Sequence, residues 1–319
     1  MTAYIIRRVL WAIVILIMLT LLVFFSMRLL PGDPIIIYIG QSQGLLGMDP
    51  AALDKLREEY GLDKPIMVQY IKWVGGIFRG DLGKSITYHE DVSKILRKRF
   101  PVTIHIGALT FIISTVLGMS AGMFAALRRG KWADQVFTPL SYIGITIPIF
   151  WLGVLMVYAF GLKLHWLPTN GYTSPFEDFW MSTRQLIMPV VCLAVTEIAM
   201  VSRQMRSSVL EVVRQDYIRT AWSKGLSERL IVLRHVLKNS LIPVITLMGF
   251  AISMIFGGSV LIESIFNIPG MGRLMVTSIF AQDYVVVQAC TLIFAVIVLV
   301  TNLLVDMSYG WLDPRIRYG

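Results

Sequence analysis

The stretch Arg79-Gly-Asp-Leu-Gly-Lys-Ser-Ile86 ends in the Gly-Lys-Ser triplet that closes a phosphate-binding loop. Such a loop needs G-x-x-x-x-G-K-[ST] between a strand and a helix, because its first glycine lets backbone N–H groups wrap the phosphates. The residue five before Gly83 is Phe78, so that glycine is missing. Other chemistry is equally thin. His89, His105, His165 and His235 lack metal-ligand spacing, and no H-E-x-x-H occurs. Gly257-Gly258-Ser259 continues with Val260 and Leu261, which is not a G-x-S-x-G nucleophile elbow. An intramembrane hydrolase could draw its groups from separate helices, but nothing in the sequence marks activated ones. The one carboxylate well inside an apolar stretch is Glu197, in A-V-T-E-I-A-M-V-S-R. Burying it unpaired is costly, which makes it a functional candidate. It either lines a pathway and meets a cationic group on a cargo, pairs with a neighbouring helix, or lies nearer the end of its helix.

The elements that position these residues are membrane helices. The chain is 56% hydrophobic and only 15% charged, with a mean hydropathy of +0.69, far from a soluble globular composition. A spanning helix needs about 20 mostly apolar residues. Six stretches qualify: 9–27, 101–127, 136–162, 186–202, 241–262 and 285–307. The fourth is the weakest, being short and carrying Glu197. Arg7 and Arg8 before the first run imitate a signal peptide, but the run is too long and no cleavage site follows it before Arg28 and Pro31. Cys192 and Cys290 both fall inside spans, so they read as packing residues and imply no disulfide.

Lys and Arg in the short loops set the orientation. One face carries Arg7, Arg8, Arg128, Arg129, Lys131, eight more within 203–239, and Arg315 and Arg317, fifteen basic residues against six acidic. The other face is close to neutral. Both termini are therefore expected in the cytoplasm. The net charge of +9 thus reads as topology and contact with anionic lipid rather than nucleic-acid binding. It also puts Gly83-Lys84-Ser85 outside the cytoplasm, away from ATP, as an ordered turn whose glycines supply unusual backbone angles.

Leu30-Pro-Gly-Asp-Pro34 stops the first span, and about seventy residues follow before the second, too many for a bare connection. Asp49-Pro50 reads as a helix start, A-A-L-D-K-L-R-E-E-Y as the helix and Gly61 as its stop. A second helix over 65–78 shows Ile66, Tyr70, Trp73 and Ile77 at helical spacing. The expectation is a small extracytoplasmic helical subdomain. Gly118 with Gly122, and Gly257 with Gly258, read as small residues that let helices approach.

The most informative segment is 207–243, S-S-V-L-E-V-V-R-Q-D-Y-I-R-T-A-W-S-K-G-L-S-E-R-L-I-V-L-R-H-V-L-K-N-S-L-I-P. Val209, Val213, Tyr217 and Ala221 recur every four residues, predicting a helix with one apolar face. Gly225 terminates it, and Ser227 caps a second helix with Glu228 at its positive end. Arg219, Lys224, Arg229, Arg234 and Lys238 rim the pair. Such an element suits either a groove on a soluble partner or the headgroup layer.

The pattern D-Y-I-R-T-A-W-S-K-G-L-S-E-R-L-I-V-L-R-H-V-L-K-N-S-L-I-P-V-I-T resembles the cytoplasmic signature loop of inner-membrane permease subunits of ABC importers, specifically the peptide and nickel group. In that superfamily the loop carries Glu-Ala-Ala, three residues and Gly, and forms the coupling helix seated in the ATPase subunit. Here Arg219-Thr220-Ala221 stands at the triplet and Gly225 at the expected place; the glutamate is missing and the run to Pro243 is longer. The start of the chain, the 58–85 loop, G-G-S-V-L-I-E-S-I-F-N-I-P-G-M-G-R-L-M and L-L-V-D-M-S-Y-G-W-L-D-P-R-I-R-Y are similar to the same group.

The resemblance implies an all-α integral membrane protein of the type I ABC importer permease kind. It would have six transmembrane helices, an extracytoplasmic helical loop after the first, and a coupling helix between the fourth and fifth. Its organisation would be a first helix (1–30), the outer subdomain (31–100), a five-helix core (101–308) with the coupling loop at 203–239, and a cytoplasmic tail (309–319). Contact with the ATPase would fall to Tyr217, Arg219, Thr220, Ala221, Lys224, Gly225, Leu226, Ser227, Glu228 and Arg229, with Glu197 the pathway candidate. The implied partners are a second permease subunit, two ABC ATPase subunits that bind ATP and Mg, an extracytoplasmic substrate-binding protein and membrane lipid. No catalysis, metal or cofactor is expected in this chain itself. The location is the bacterial or archaeal inner membrane, and the expected cargo is di- or oligopeptides, with nickel, glutathione or oligosaccharides as alternatives in the same group. A secondary transporter would carry more intramembrane ionisable residues or broken helices than Glu197 alone. A purely structural anchor leaves the elaborated loop unexplained.

Overall fold

The computed structural model describes residues 2–29, 35–36 and 50–312. The expected stop at Leu30–Pro34, the Asp49 cap and the tail after residue 312 lie outside the described residues. Among the described residues the regular structure is helical: α1 (Thr2–Leu29), α2 (Pro50–Glu59), α3 (Ile66–Phe78), α4 (Val92–Leu127), α5 (Trp132–Thr146), α6 (Ile149–Met156), α7 (Phe179–Val213), α8 (Asp216–Ser223), α9 (Glu228–Ile231), α10 (Leu237–Ile265), α11 (Met271–Phe280) and α12 (Tyr284–Leu312). A π-helical turn, Val157–Lys163, extends α6, and another, Val232–Val236, joins α9 to α10.

Five helices are long and apolar enough to cross a membrane, and a sixth span results if α5 and α6 count as one. That pair, which covers the span expected over 136–162, bends by 99°. The cause is Pro148, which lacks an N–H and drives Ile147 into extended backbone (ψ 122°). Several spans are also longer than their apolar runs. At about 1.5 Å per residue, the 36-residue α4 is about 54 Å long, well beyond a hydrocarbon core of about 30 Å. The surplus length leaves room for its basic first turns, Lys94 to Arg99, to stand outside the hydrocarbon core.

The chain forms two compact units: one comprises Met1–Tyr4, Ile104–Ile268 and Val300–Gly319, the other Ile5–Thr103 and Pro269–Leu299. In the second unit, α1 exposes Leu10, Met18 and Leu22 while burying Phe24. The Phe24 ring lies 5.4 Å from that of Tyr70 and 5.8 Å from that of Trp73, so these two of the four residues read at helical spacing on α3 form its contact with α1, while Ile66 is exposed. Arg28 Nη2 donates to Gln69 Oε1 at 2.8 Å, tying the end of α1 to α3. Val92, Ile95 and Leu96 pack with Met271, Leu274, Val286 and Cys290.

In the other unit α7 is central. Asp178 caps it by accepting from the Met181 amide at 2.9 Å. Its apolar stretch is 61% buried in the protein, against 11% for α1. The short apolar run and Glu197 that made this span the weakest in the sequence fit a helix packed largely against protein. Gly118 and Gly122 face α7 as expected: a Cβ on Gly118 would stand 2.8 Å from that of Val201. Cys192 and Cys290 are fully buried.

Candidate functional site

The residues of the 203–239 segment form a two-sided element. The helix expected through Val209, Val213, Tyr217 and Ala221 is interrupted: α7 ends at Val213, and Gln215 is extended (ψ 147°) before α8 begins. Asp216 then occupies the first turn of α8, where the helix dipole favours an acid. The interruption resets the helical phase. Ile218 and Ala221 point inward, packed with Val209, Ile231, Val236 and Val244, while Tyr217 is 44% exposed. A four-residue repeat also drifts around a helix of 3.6 residues per turn, so it is a poor guide to a face across a break.

Gly225 ends α8 as expected, at φ +75°. Its amide donates to the Trp222 carbonyl at 2.9 Å and that of Leu226 to the Ala221 carbonyl at 3.4 Å, the paired bonds of a Schellman closure. Ser227 stands at the start of α9, but its side chain makes no cap hydrogen bond, contrary to expectation. It is exposed, so water can satisfy the first-turn amides instead.

The outward side carries Tyr217, Trp222, Leu226, Leu230 and Leu233, exposed despite their size. Arg219, Thr220, Lys224, Glu228 and Arg229 are exposed among them. Arg219 meets Asp216 at 3.5 Å with both side chains largely in solvent, a pair worth little to the fold. Burial raises the Tyr217 phenol above its ordinary value against the lowering effect of its hydrogen bond with Asn239, so it stays neutral. Ile218, Trp222, Leu230 and Leu233 escaped the sequence reading; the available signal was that Trp222, Leu230 and Leu233 are large apolar residues in an otherwise polar segment.

The turn beside this element is held by Asp134. Arg206 Nε and Nη2 donate to its two oxygens at 2.6 and 3.0 Å. The Gly130 amide and the Thr138 hydroxyl add two more bonds at 3.0 Å. This bidentate clamp fixes the α4–α5 turn onto α7.

Glu197 is 3% exposed, and its Oε2 has no hydrogen-bond partner among the described residues. It lines a cavity of about 370 Å³ with Ile147, Ile149, Thr196, Ser253 and Gly257, at the α5–α6 bend. Glu197 lies midway along α7 (Phe179–Val213), with no ion pair to another helix among the described residues.

The Gly83-Lys84-Ser85 triplet belongs to neither arrangement. Gly80 and Gly83 have φ of +76° and +86°, as an ordered turn requires. Asp81 Oδ1 takes the Gly83 amide at 2.9 Å, and Lys84 binds Glu59 at 2.8 Å. Ser85 is fully buried; its hydroxyl donates to Asp283 Oδ2 at 2.5 Å and accepts from the Tyr88 amide at 2.8 Å. These donors already have partners, so the triplet is a structural latch. No group of three or more His, Cys, Asp or Glu side chains that could hold a metal occurs among the described residues; His105 Nδ1 lies 3.1 Å from the Tyr172 hydroxyl.

Comparison with known proteins is consistent along the whole chain. Residues 118–318 match the model of the binding-protein-dependent transport system inner membrane component. Residues 1–107 match the N-terminal part of the membrane component of such systems. A protein of Brucella abortus (strain 2308), named as a peptide transport system permease, is 41% identical over 321 residues, covering 100% of both chains. The oligopeptide transport system permease protein AppB of Bacillus subtilis (strain 168) is 40% identical over 325 residues, again covering 100% of both. The fold is similar to that of a chain in inward-facing structures of the MetNI methionine ABC transporter, with a TM-score of 0.53 at 15% identity, covering 69% of this chain and 96% of that one. The chain is a multi-pass membrane protein and belongs to the family of inner membrane components of binding-protein-dependent transport systems.

Proposed function

We propose that this chain is one half of the translocation pathway of an ATP-driven peptide importer, and that α8, Gly225 and α9 transmit the work of a separate ATPase. One observation carries the coupling role. Ile218 and Ala221 root the element in the core formed by α7 and α10, while its opposite side presents Trp222, Leu226 and Leu230 beside Arg219, Lys224 and Arg229. Clustered exposed apolar side chains on an otherwise polar segment mark a protein contact, and anchored inner residues let a push on that contact reach the span.

In this reading Tyr217, Arg219, Thr220, Lys224, Leu226, Ser227, Glu228 and Arg229 face the ATPase. Ala221 anchors the helix and Gly225 shapes the turn. Two ATPase subunits bind ATP and Mg, a second permease completes the pathway, and a substrate-binding protein delivers cargo from outside. Both termini lie in the cytoplasm, as the basic loops favour. The 31–100 region caps the outer side and 101–308 forms the transport core. Glu197 belongs to the pathway. Peptide cargo is supported by the names of the 40% and 41% identical relatives.

The test is gentle solubilisation of the tagged protein from its native membrane, repeated with Gly225 and residues 227–229 altered. ATPase subunits and a second permease should accompany the wild type, and the ATPases should be lost from the variant. A wild type that purifies alone and moves cargo on an ion gradient would replace this reading with a secondary transporter.

A further inference from the structure

Glu197 has a setting that its role as a pathway residue does not by itself explain. Glu197 is buried and lines a cavity of about 370 Å³, and its Oε2, shut off from the cavity, is unpartnered among the described residues. A buried polar group without a partner is costly, more so if charged, so it persists where something else supplies the partner. The cavity wall includes Ile145 and Ile147 at the terminus of α5. Only part of that terminus is closed: the Ile147 amide returns to the Ile143 carbonyl at 3.1 Å, and Thr196 Oγ1 donates to the Gly144 carbonyl at 3.3 Å. A helix C-terminus carries about half a negative charge. Bend and carboxyl together make a negative spot in an apolar surround, the arrangement by which interrupted membrane helices hold cations.

We infer that Glu197 and the C-terminal end of α5 form a subsite for a primary ammonium group, the free amino terminus of a peptide in transit. The inference rests on the importer reading and adds a recognition element to it. An ammonium has three donors and no acceptor. The Glu197 carboxyl, the α5 terminus and Ser253, which also lines the cavity, offer a matching few acceptors, whereas a hard metal ion seeks six or more oxygens. Most of the wall is apolar, from Ile149, Leu193, Ile255 and Leu261. At about 30 Å³ per water, the volume holds about ten water-sized groups, enough for the end of a peptide. A Cβ added at Gly257 would meet nothing within 4 Å, so this wall leaves room.

The test uses the complete transporter in proteoliposomes. ATP-driven uptake of trialanine by the wild type reports on the importer reading alone; its absence overturns that reading. With uptake present, Glu197→Gln should lower it about tenfold, the loss of one charge-assisted hydrogen bond, while Glu197→Asp keeps most of it and both variants retain their ATPase subunits. In the purified wild type, dicyclohexylcarbodiimide modification of Glu197, followed by peptide mass mapping, should slow at least severalfold with excess trialanine and stay unchanged with N-acetyl-trialanine. Wild-type uptake by Glu197→Gln, equal protection by both peptides, or protection by sodium ions instead would each overturn the ammonium subsite.

Discussion

Gly225 shows what one backbone angle contributes. At φ +75° an L side chain is strained, yet a Cβ there would meet nothing within 4 Å, so substitution tests conformation without steric clash. Gly225→Ala should cost about 1 kcal/mol and weaken retention of the ATPase subunits, whereas Gly225→Asn, which tolerates the left-handed region, should keep most of both. Thermal unfolding and co-purification measure the two effects, and equal behaviour of the variants would remove the backbone argument. The pair Glu59–Lys84 makes a second prediction at this scale. The hydrogen bond from Lys84 holds the Glu59 carboxyl below its ordinary 4.5. A depressed acid contributes stability above its unfolded value, and that contribution is lost as pH falls through the lower, folded value. An NMR titration of the Glu59 carboxyl should therefore have its midpoint under 4.5 in the wild type and return toward it in Lys84→Met. The interaction is exposed, so global stability should barely change.

Among the elements, α8 separates anchoring from contact. Ile218→Ala empties a fully buried position and should destabilise by about 2–4 kcal/mol, lowering the unfolding midpoint. Trp222→Ala, at a 47% exposed position, should leave that midpoint in place and reduce ATPase retention. If both variants shift the midpoint equally, α8 has no free face. These elements also show where sequence reading reaches its limit. The six apolar runs, the helix ending at Gly61, the spacing of Tyr70 and Trp73 and the stop at Gly225 were all legible, because each depends on local chemistry or on hydrophobic length. The 99° bend between α5 and α6 was missed although Pro148 was in view, since a proline inside an apolar run kinks a helix in one setting and is absorbed in another. Pro101, Pro189 and Pro243 all lie inside continuous helices. The separation of exposed Tyr217 from buried Ala221 was missed because phase does not carry across a break. Glu197 was visible as an oddity, but its cavity is made by residues far from it in sequence.

At the scale of the molecule, the orientation of the α8–α9 surface relative to the membrane decides the proposed function. The positive-inside reading puts Arg229 in the cytoplasm and the loop between α6 and α7 outside. That loop presents Phe176, 99% exposed, next to Glu177. The native cysteines are both fully buried, so they give a silent background for thiol labelling. A membrane-impermeant maleimide should label Phe176→Cys in intact cells and Arg229→Cys only after the membrane is opened. The reverse pattern would place the α8–α9 surface outside, where ATPases have no ATP to bind, and would remove the importer reading at its base. The expected pattern, with ATPase subunits shielding Arg229→Cys until they are stripped away, would put the apolar contact face and the energy source on the same side. Energy would then enter at α8 and α9 and reach the spans through the Ile218 core, without any nucleotide chemistry in this chain.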